Sequence, residues 1–124
     1  MLCMVRGSAE ERVGPKPLSQ MRRGAIEYCV LALLREREMY GFELTRTLAD
    51  ADGLVTSEGT VYPLLARLRG EGLVESFWEE SSQGPPRRYY RLTDRGRQAL
   101  EGFVVQWGRF RDTVDELLEG GRQR

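Results

Sequence analysis

The chain has 124 residues, 40% of them hydrophobic and 31% charged, which is ordinary for one globular domain with a single modest core. Its formal net charge is zero, which excludes a bulk basic signal for nucleic acid, so any basic surface must be local. Histidine is absent and the cysteines number two, so we expect no enzyme, no structural zinc site and no cofactor.

The first two elements differ in their patterning. Residues 1–20 mix Gly, Pro, Ser and charges without periodicity, which predicts a mobile N-terminal arm. Residues 21–37 carry apolar side chains at i, i+3, i+4, i+7 and i+8, which predicts a helix with one buried face. These apolar residues are Ile26, Cys29, Val30, Leu33 and Leu34. Tyr40 and Gly41 then predict a tight turn, and a shorter second helix is expected to end near Ala51.

A third helix is predicted to follow a short extended piece. Ser57 is a good N-cap, because a serine hydroxyl accepts a hydrogen bond from the first turn. The apolar positions repeat the same helical spacing and are expected to face the core. They are Val61, Leu64, Leu65 and Leu68. Pro63 predicts an irregular first turn, since an interior proline removes a backbone hydrogen bond.

The remaining elements are a hairpin and a last helix. Residues 73–79 and 87–92 are rich in aromatic and β-branched side chains, as strands are, and the polar segment 81–86 predicts a long mobile tip. Thr93 is predicted to cap a helix that reaches about Glu119. The expected fold is therefore mainly α with a small β-hairpin (α+β), a winged helix-turn-helix over 21–93 followed by a long C-terminal dimerisation helix over 94–121.

Three segments taken together resemble a known family. They are ALLREREMYGFELTRTLAD (32–50), GTVYPLLARLRGEGLVESFWEE (59–80) and GPPRRYYRLTDRGRQAL (84–100). In this order they are similar to the PadR family of bacterial transcriptional regulators, over about residues 21–118. The smaller subfamily, with a single C-terminal helix, is the nearer likeness. The resemblance implies a homodimeric regulator that binds double-stranded DNA, often a repressor that a small ligand releases.

The resemblance also implies which residues contact DNA. In the family the third helix enters the major groove, and the wing reaches the adjacent backbone or minor groove. Carried over to this chain, the recognition positions are Ser57, Thr60, Tyr62, Pro63 and Arg67. The wing positions are Gly84, Arg87 and Arg88, and Tyr40 would be a further phosphate contact.

The residues themselves support part of that assignment and leave alternatives open. Thr60, Tyr62 and Arg67 lie off the buried stripe, where hydroxyl and guanidinium groups are free to bind phosphate or base edges. Tyr62 could instead cover the hairpin. Arg67 could pair with Glu71 at i+4, and Arg88 could pair across the strands with a glutamate of the first strand, Glu75 or Glu79.

The local charge balance favours only moderate affinity for DNA. Residues 21–92 contain ten arginines and eleven acidic residues, so even this region is not basic overall. We expect acidic residues to cluster around the first two helices, and arginines to cluster in the third helix and the wing. An alternative function is therefore a ligand-sensing or protein-interaction module with a winged-helix fold that does not bind DNA.

An apolar seam along the last helix predicts a homodimer. Its positions are spaced 3, 4, 3, 4 and 3 residues apart, as in a coiled coil. They are Leu100, Phe103, Trp107, Phe110, Val114 and Leu117. A helix that follows a wing has little of its own domain to pack on, so the seam favours a partner helix. The alternative is that this helix folds back on the first helix of the same chain.

Trp107 suggests a ligand site. In a multidrug-binding member of the PadR family, a tryptophan of the corresponding helix lines a pocket at the dimer centre and stacks on planar drugs. The resemblance thus implies a small planar hydrophobic effector at Trp107 and Phe103, with Phe110 and Cys29 nearby. A plain aromatic packed in the interface is an equal alternative.

The chain is expected to be cytoplasmic and to have no membrane partner. No apolar run approaches the roughly 18 residues of a membrane span, and the N-terminus has no hydrophobic region of signal-peptide type. Cys3 and Cys29 are far apart in the sequence and are expected to be reduced thiols.

Overall fold

The computed structural model describes the backbone of residues 15–51 and 58–120, and the side chains of residues 24–51 and 59–120. Within these described residues, four helices and three strands follow one another. They are α1 (Pro15–Glu36), β1 (Met39–Tyr40), α2 (Gly41–Asp50), α3 (Glu58–Gly70), β2 (Val74–Ser81), β3 (Gly84–Leu92) and α4 (Asp94–Leu118). The order confirms the predicted winged helix-turn-helix with a long C-terminal helix.

The first helix begins earlier than the sequence predicted. The expected arm reached residue 20, but α1 starts at Pro15, so that boundary was wrong by six residues. Proline is compatible with a first helical turn, because its fixed φ is helical and its missing N–H would have had no partner there. The rest of the predicted arm, residues 1–14, lies outside the described residues.

The wing is a three-stranded antiparallel sheet in the order β1-β3-β2. Strand β1 pairs Met39 with Tyr90 and Tyr40 with Tyr89. The sequence predicted a turn here instead of a strand, because two residues are too few to show an alternating pattern. Its effect is to fix the start of α2 against the wing.

The hairpin tip is shorter than predicted. The segment 81–86 was expected to form a long mobile loop, whereas β2 extends to Ser81 and β3 starts at Gly84, opposite it. The ladder is irregular between Glu79 and Ser81. Pro85 and Pro86 lie at this irregularity, where two residues of β3 face one residue of β2, and β1 reaches only residues 89 and 90 of β3. Neither proline therefore has to donate a hydrogen bond to the ladder.

One hydrophobic core joins all four helices to the sheet. The predicted buried stripe of α3 is confirmed, since Val61, Leu64, Leu65 and Leu68 are all buried. Helix α3 continues through Pro63 without interruption. The predicted cap of the last helix is also present. The hydroxyl of Thr93 accepts a hydrogen bond from the Gly96 amide at 3.0 Å and donates one to the Gly72 carbonyl at 2.7 Å.

Candidate nucleic-acid interface

The solvent face of α3 has a narrow strip of small residues with larger side chains on both flanks. Gly59, Pro63 and Ala66 are exposed along it, opposite the buried leucines. At 100° per residue Tyr62 lies on one flank, and Arg67 lies on the other together with the exposed Thr60. The small residues let the helix backbone approach a ligand closely. Ser57, the predicted N-cap, lies outside the described residues.

Tyr62 packs on the start of α2. A Cβ atom added to Gly41 would lie 2.6 Å from the Tyr62 hydroxyl oxygen, so the ring rests on the glycine backbone. The side chain stays 43% exposed. Tyr62 therefore covers Gly41, and the exposed part of its side chain faces solvent beside the small strip of α3.

Tyr40 continues this surface to the wing. The Arg87 guanidinium lies 4.5 Å from the centroid of the Tyr40 ring, a cation–π contact. On its other side Tyr40 meets Tyr89, with ring centroids 5.4 Å apart. Tyr62, Gly41, Tyr40 and Arg87 are thus contiguous, and we call them the tyrosine–arginine surface.

Arg88 lies on the opposite face of the wing. It stands opposite Trp78 in the ladder, whereas Arg87 stands opposite Glu79. Its Nε donates a hydrogen bond to Ser76 Oγ at 3.1 Å. The predicted alternative, a pair with Glu75 or Glu79, is wrong, because strand alternation sends those carboxylates to the other face. Gly84 is exposed at the hairpin tip.

Glu75 pairs instead with Arg91, the residue that stands opposite it in the β2–β3 ladder. Arg91 Nε donates to Glu75 Oε1 at 2.9 Å, and Nη1 donates to Glu38 Oε2 at 3.4 Å. These hydrogen bonds, first of all the one to Glu75, raise the pKa of Arg91. Cross-strand alternation could have identified this pair once the register was known.

Arg67 pairs with a carboxylate of α1 and not with the predicted Glu71. Its Nη2 donates to Oε2 of Glu27 on α1, not to Glu71 on its own helix. The two residues are 40 positions apart, so no local pattern could have revealed the contact. The pair joins the second flank of α3 to α1.

The charges of the wing are local rather than bulk. In the part of the chain that the structure describes, carboxylates pair with five arginines, namely Arg35, Arg37, Arg67, Arg91 and Arg111. Arg87 and Arg88 form no ion pair within this part of the chain, and aromatic rings and a serine hydroxyl orient them. This is the kind of footprint that a protein of zero net charge can offer to phosphate.

The predicted seam of α4 divides into two parts. Leu100 is only 2% exposed within the single chain, so its assignment to a dimer interface was wrong. The connection through Thr93 is short and lays the first turns of α4 against the core. Phe103 stacks on Tyr28 of α1, with ring centroids 4.0 Å apart and planes 3° apart. The predicted alternative, in which the last helix folds back on the first helix of the same chain, therefore describes the upper part of the seam, Leu100 and Phe103.

The lower part of the seam is open. Trp107, Phe110 and Leu117 are 42%, 62% and 71% exposed, and Val114 is half-buried. Trp107 lies 6.1 Å from Phe103 and 6.1 Å from Phe110, measured between ring centroids. The aromatic side chains thus form a row that begins at Tyr28 and ends on an exposed helix face.

Cys29 is half-buried against the core. Burial raises the pKa of its thiol, since a low-dielectric setting disfavours the thiolate. Cys29 is therefore a small packing residue of α1, as its place in the apolar stripe predicted.

A recognition-type helix beside an arginine-bearing wing defines a winged helix-turn-helix protein of the DNA-binding class. The family model "Transcriptional regulator PadR-like family" matches residues 30–102. The chain belongs to this family and is a DNA-binding transcriptional regulator, as the resemblance implied.

Individual relatives support the same assignment. Transcriptional regulator Rv3488 of Mycobacterium tuberculosis is 36% identical over 83 residues, which cover 67% of this chain and 76% of that protein. The negative transcriptional regulator PadR of Bacillus subtilis is 30% identical over 98 residues, 75% of this chain and 53% of that protein. The second relative thus extends well beyond the matched part.

Solved structures share the fold closely. A PadR-like transcriptional regulator from Bacillus cereus has a TM-score of 0.75 and 42% identity, over 82% of this chain and 98% of that one. A PadR family regulator from Eggerthella lenta has a TM-score of 0.79 and 36% identity, over 92% and 99%. Among the described helices, none is long and apolar enough to cross a membrane.

Proposed function

We propose that this regulator acts as a homodimeric repressor on a roughly palindromic operator and responds to a small ligand. The observation that carries the DNA-binding part is the tyrosine–arginine surface, which runs without a break from α3 to the wing. Such a surface offers hydroxyl and guanidinium donors to two neighbouring stretches of a duplex at once.

Each predicted DNA contact has a place in this proposal. The strip of α3 enters the major groove, with Thr60, Tyr62, Pro63 and Arg67 nearest the bases and Ser57 at the helix start. Arg87 and Tyr40 bind phosphate beside it. Arg88 and Gly84 reach the backbone or minor groove at the tip of the wing.

The open part of α4 is proposed to form the dimer. Trp107, Phe110, Val114 and Leu117 present an apolar face that a second copy of the same helix would cover. A two-fold dimer places two α3 helices on one side of the duplex. That arrangement reads half-sites about one helical turn apart.

An effector is proposed to bind against the same aromatic row. A small planar hydrophobic molecule would stack on Trp107 and meet Phe103 and Phe110, where it could change the spacing of the two α3 helices. We also place the regulator in the cytoplasm of a bacterial cell, the compartment that contains its operator.

Genomic selection of bound DNA fragments tests the proposal. The expected result is an inverted repeat with half-sites about 10 base pairs apart, bound with an affinity that falls as salt rises. A scrambled duplex of equal length is the control. Absence of any salt-dependent duplex binding would favour the alternative, a winged-helix module that binds proteins or ligands only.

A further inference from the structure

Arg67 differs from the wing arginines in how its charge is compensated. Among the arginines proposed to bind DNA, all of which lie in described parts of the chain, only Arg67 forms an ion pair. Its partner is the carboxylate of Glu27 on α1. A guanidinium that is already bound to a carboxylate must leave it, or share it, before it can bind phosphate.

The Glu27 carboxylate is the fixed member of the pair. Ile26, the preceding residue, is buried in the core. Tyr28, the following residue, stacks flat on Phe103 of α4. The turn of α1 that carries Glu27 is therefore anchored on both sides.

The Arg67 guanidinium is the mobile member. Its side chain is 55% exposed, whereas that of Glu27 is 24% exposed. Arginine has a long, flexible stem, so the guanidinium can rotate away from α1 while the helix α3 stays in place. The Glu27 carboxylate therefore stays in place on α1, and the Arg67 guanidinium can leave it without a movement of α3.

We propose that Glu27 is a positioning residue that withholds Arg67 from DNA in the free protein. The proposal rests on the proposed function, since it requires Arg67 to bind DNA. Phosphate and the Glu27 carboxylate compete for the same guanidinium. Non-specific binding to DNA therefore lacks the phosphate contact that Arg67 would otherwise make. A protein with zero net charge thereby lowers its affinity for random duplex further.

Glu27→Gln tests the proposal because glutamine has the same shape and no charge. The released Arg67 should raise the affinity for a random-sequence duplex about two- to fivefold, the factor that an exposed ion pair represents. The slope of log K against log salt should become steeper by about 0.9, the value for one additional phosphate contact. Fluorescence anisotropy at several salt concentrations measures both, and thermal unfolding shows that each variant is folded.

Three further variants make the result specific. Glu27→Gln should change nothing when Arg67→Gln is already present, whereas an equal gain in both backgrounds would reveal a general charge effect and overturn the proposal. Glu27→Asp keeps the charge and should stay close to the wild-type affinity. Glu36→Gln is the matched control, since it removes an acid of the same helix that pairs with Arg35, and its affinity should not change.

Arg67→Gln alone distinguishes a failure of the proposed DNA contact from a failure of the proposed role of Glu27. If it leaves DNA binding unchanged, Arg67 is not a DNA contact, and both that part of the proposed function and the role of Glu27 fail. If it weakens binding while Glu27→Gln does not strengthen it, the DNA contact stands and the withholding role of Glu27 is overturned.

Discussion

Two consecutive arginines of the wing have different surroundings because side chains alternate across a strand. Arg87 lies over Tyr40, beside α2 and the recognition helix. Arg88 lies on the other face, near Trp78 and Tyr90. The sequence places both at the hairpin, and the sheet separates them onto opposite faces.

This separation predicts unequal effects of truncation. Arg87→Ala should weaken operator binding about fivefold to thirtyfold, in line with the loss of one arginine contact to DNA of 1–2 kcal/mol. Arg88→Ala should have a smaller effect. Fluorescence anisotropy at fixed salt measures both, and sedimentation should show the same oligomer for each. Equal losses would contradict the special position of Arg87 in the tyrosine–arginine surface.

At the level of the elements, α4 depends on a close approach between its first turn and the hairpin. A Cβ atom added to Gly96 would collide with the Leu73 carbonyl oxygen and would lie 2.7 Å from Leu92 Cδ1. Gly96 also donates to the Thr93 cap. A side chain at this position would push α4 away from β2 and β3.

Gly96→Ala should therefore lower the free energy of unfolding by about 1–3 kcal/mol, the usual effect of overpacking. Gly102→Ala in the same helix is the matched control, because nothing lies within 4 Å of the added Cβ. That control should stabilise the protein by about 0.5–1 kcal/mol, since alanine is the better helix former. Urea denaturation followed by far-UV circular dichroism measures both, and a neutral Gly96→Ala would contradict this close packing.

On the scale of the whole molecule, the division of α4 connects folding to assembly. Its upper part, Leu100 and Phe103, completes the core and packs on α1. Its lower part exposes Trp107, Phe110 and Leu117, which the described part of the chain does not cover. The same helix thus stabilises one chain and carries the face that is proposed to bind a second.

Phe110→Glu should convert the proposed dimer into monomers, because it places a charge in the apolar face. Val105→Glu is the matched control, since Val105 is 57% exposed and lies on the opposite side of α4 by helical spacing. Sedimentation should show monomers for the first variant and dimers for the second. A dimer that survives Phe110→Glu would exclude this face as the interface.

Patterns set by local geometry were readable from the amino-acid sequence by itself. The buried stripe of α3, the alternation of the wing strands and the Thr93 cap depend on neighbours within a few positions, and the quoted motifs identified the family. The boundary at Pro15 and the short strand β1 were missed, since proline suits both loops and helix starts and two residues show no period.

Contacts between distant residues were decided only by the tertiary structure. Packing brings Glu27 to Arg67 across 40 positions, lays Tyr62 on Gly41, and takes Leu100 into the core of one chain. Periodicity tells which side of a helix is apolar, but not which neighbour will cover it. That depends on how all the elements fill one core together, and it is why only the last part of the α4 seam is left for the proposed partner.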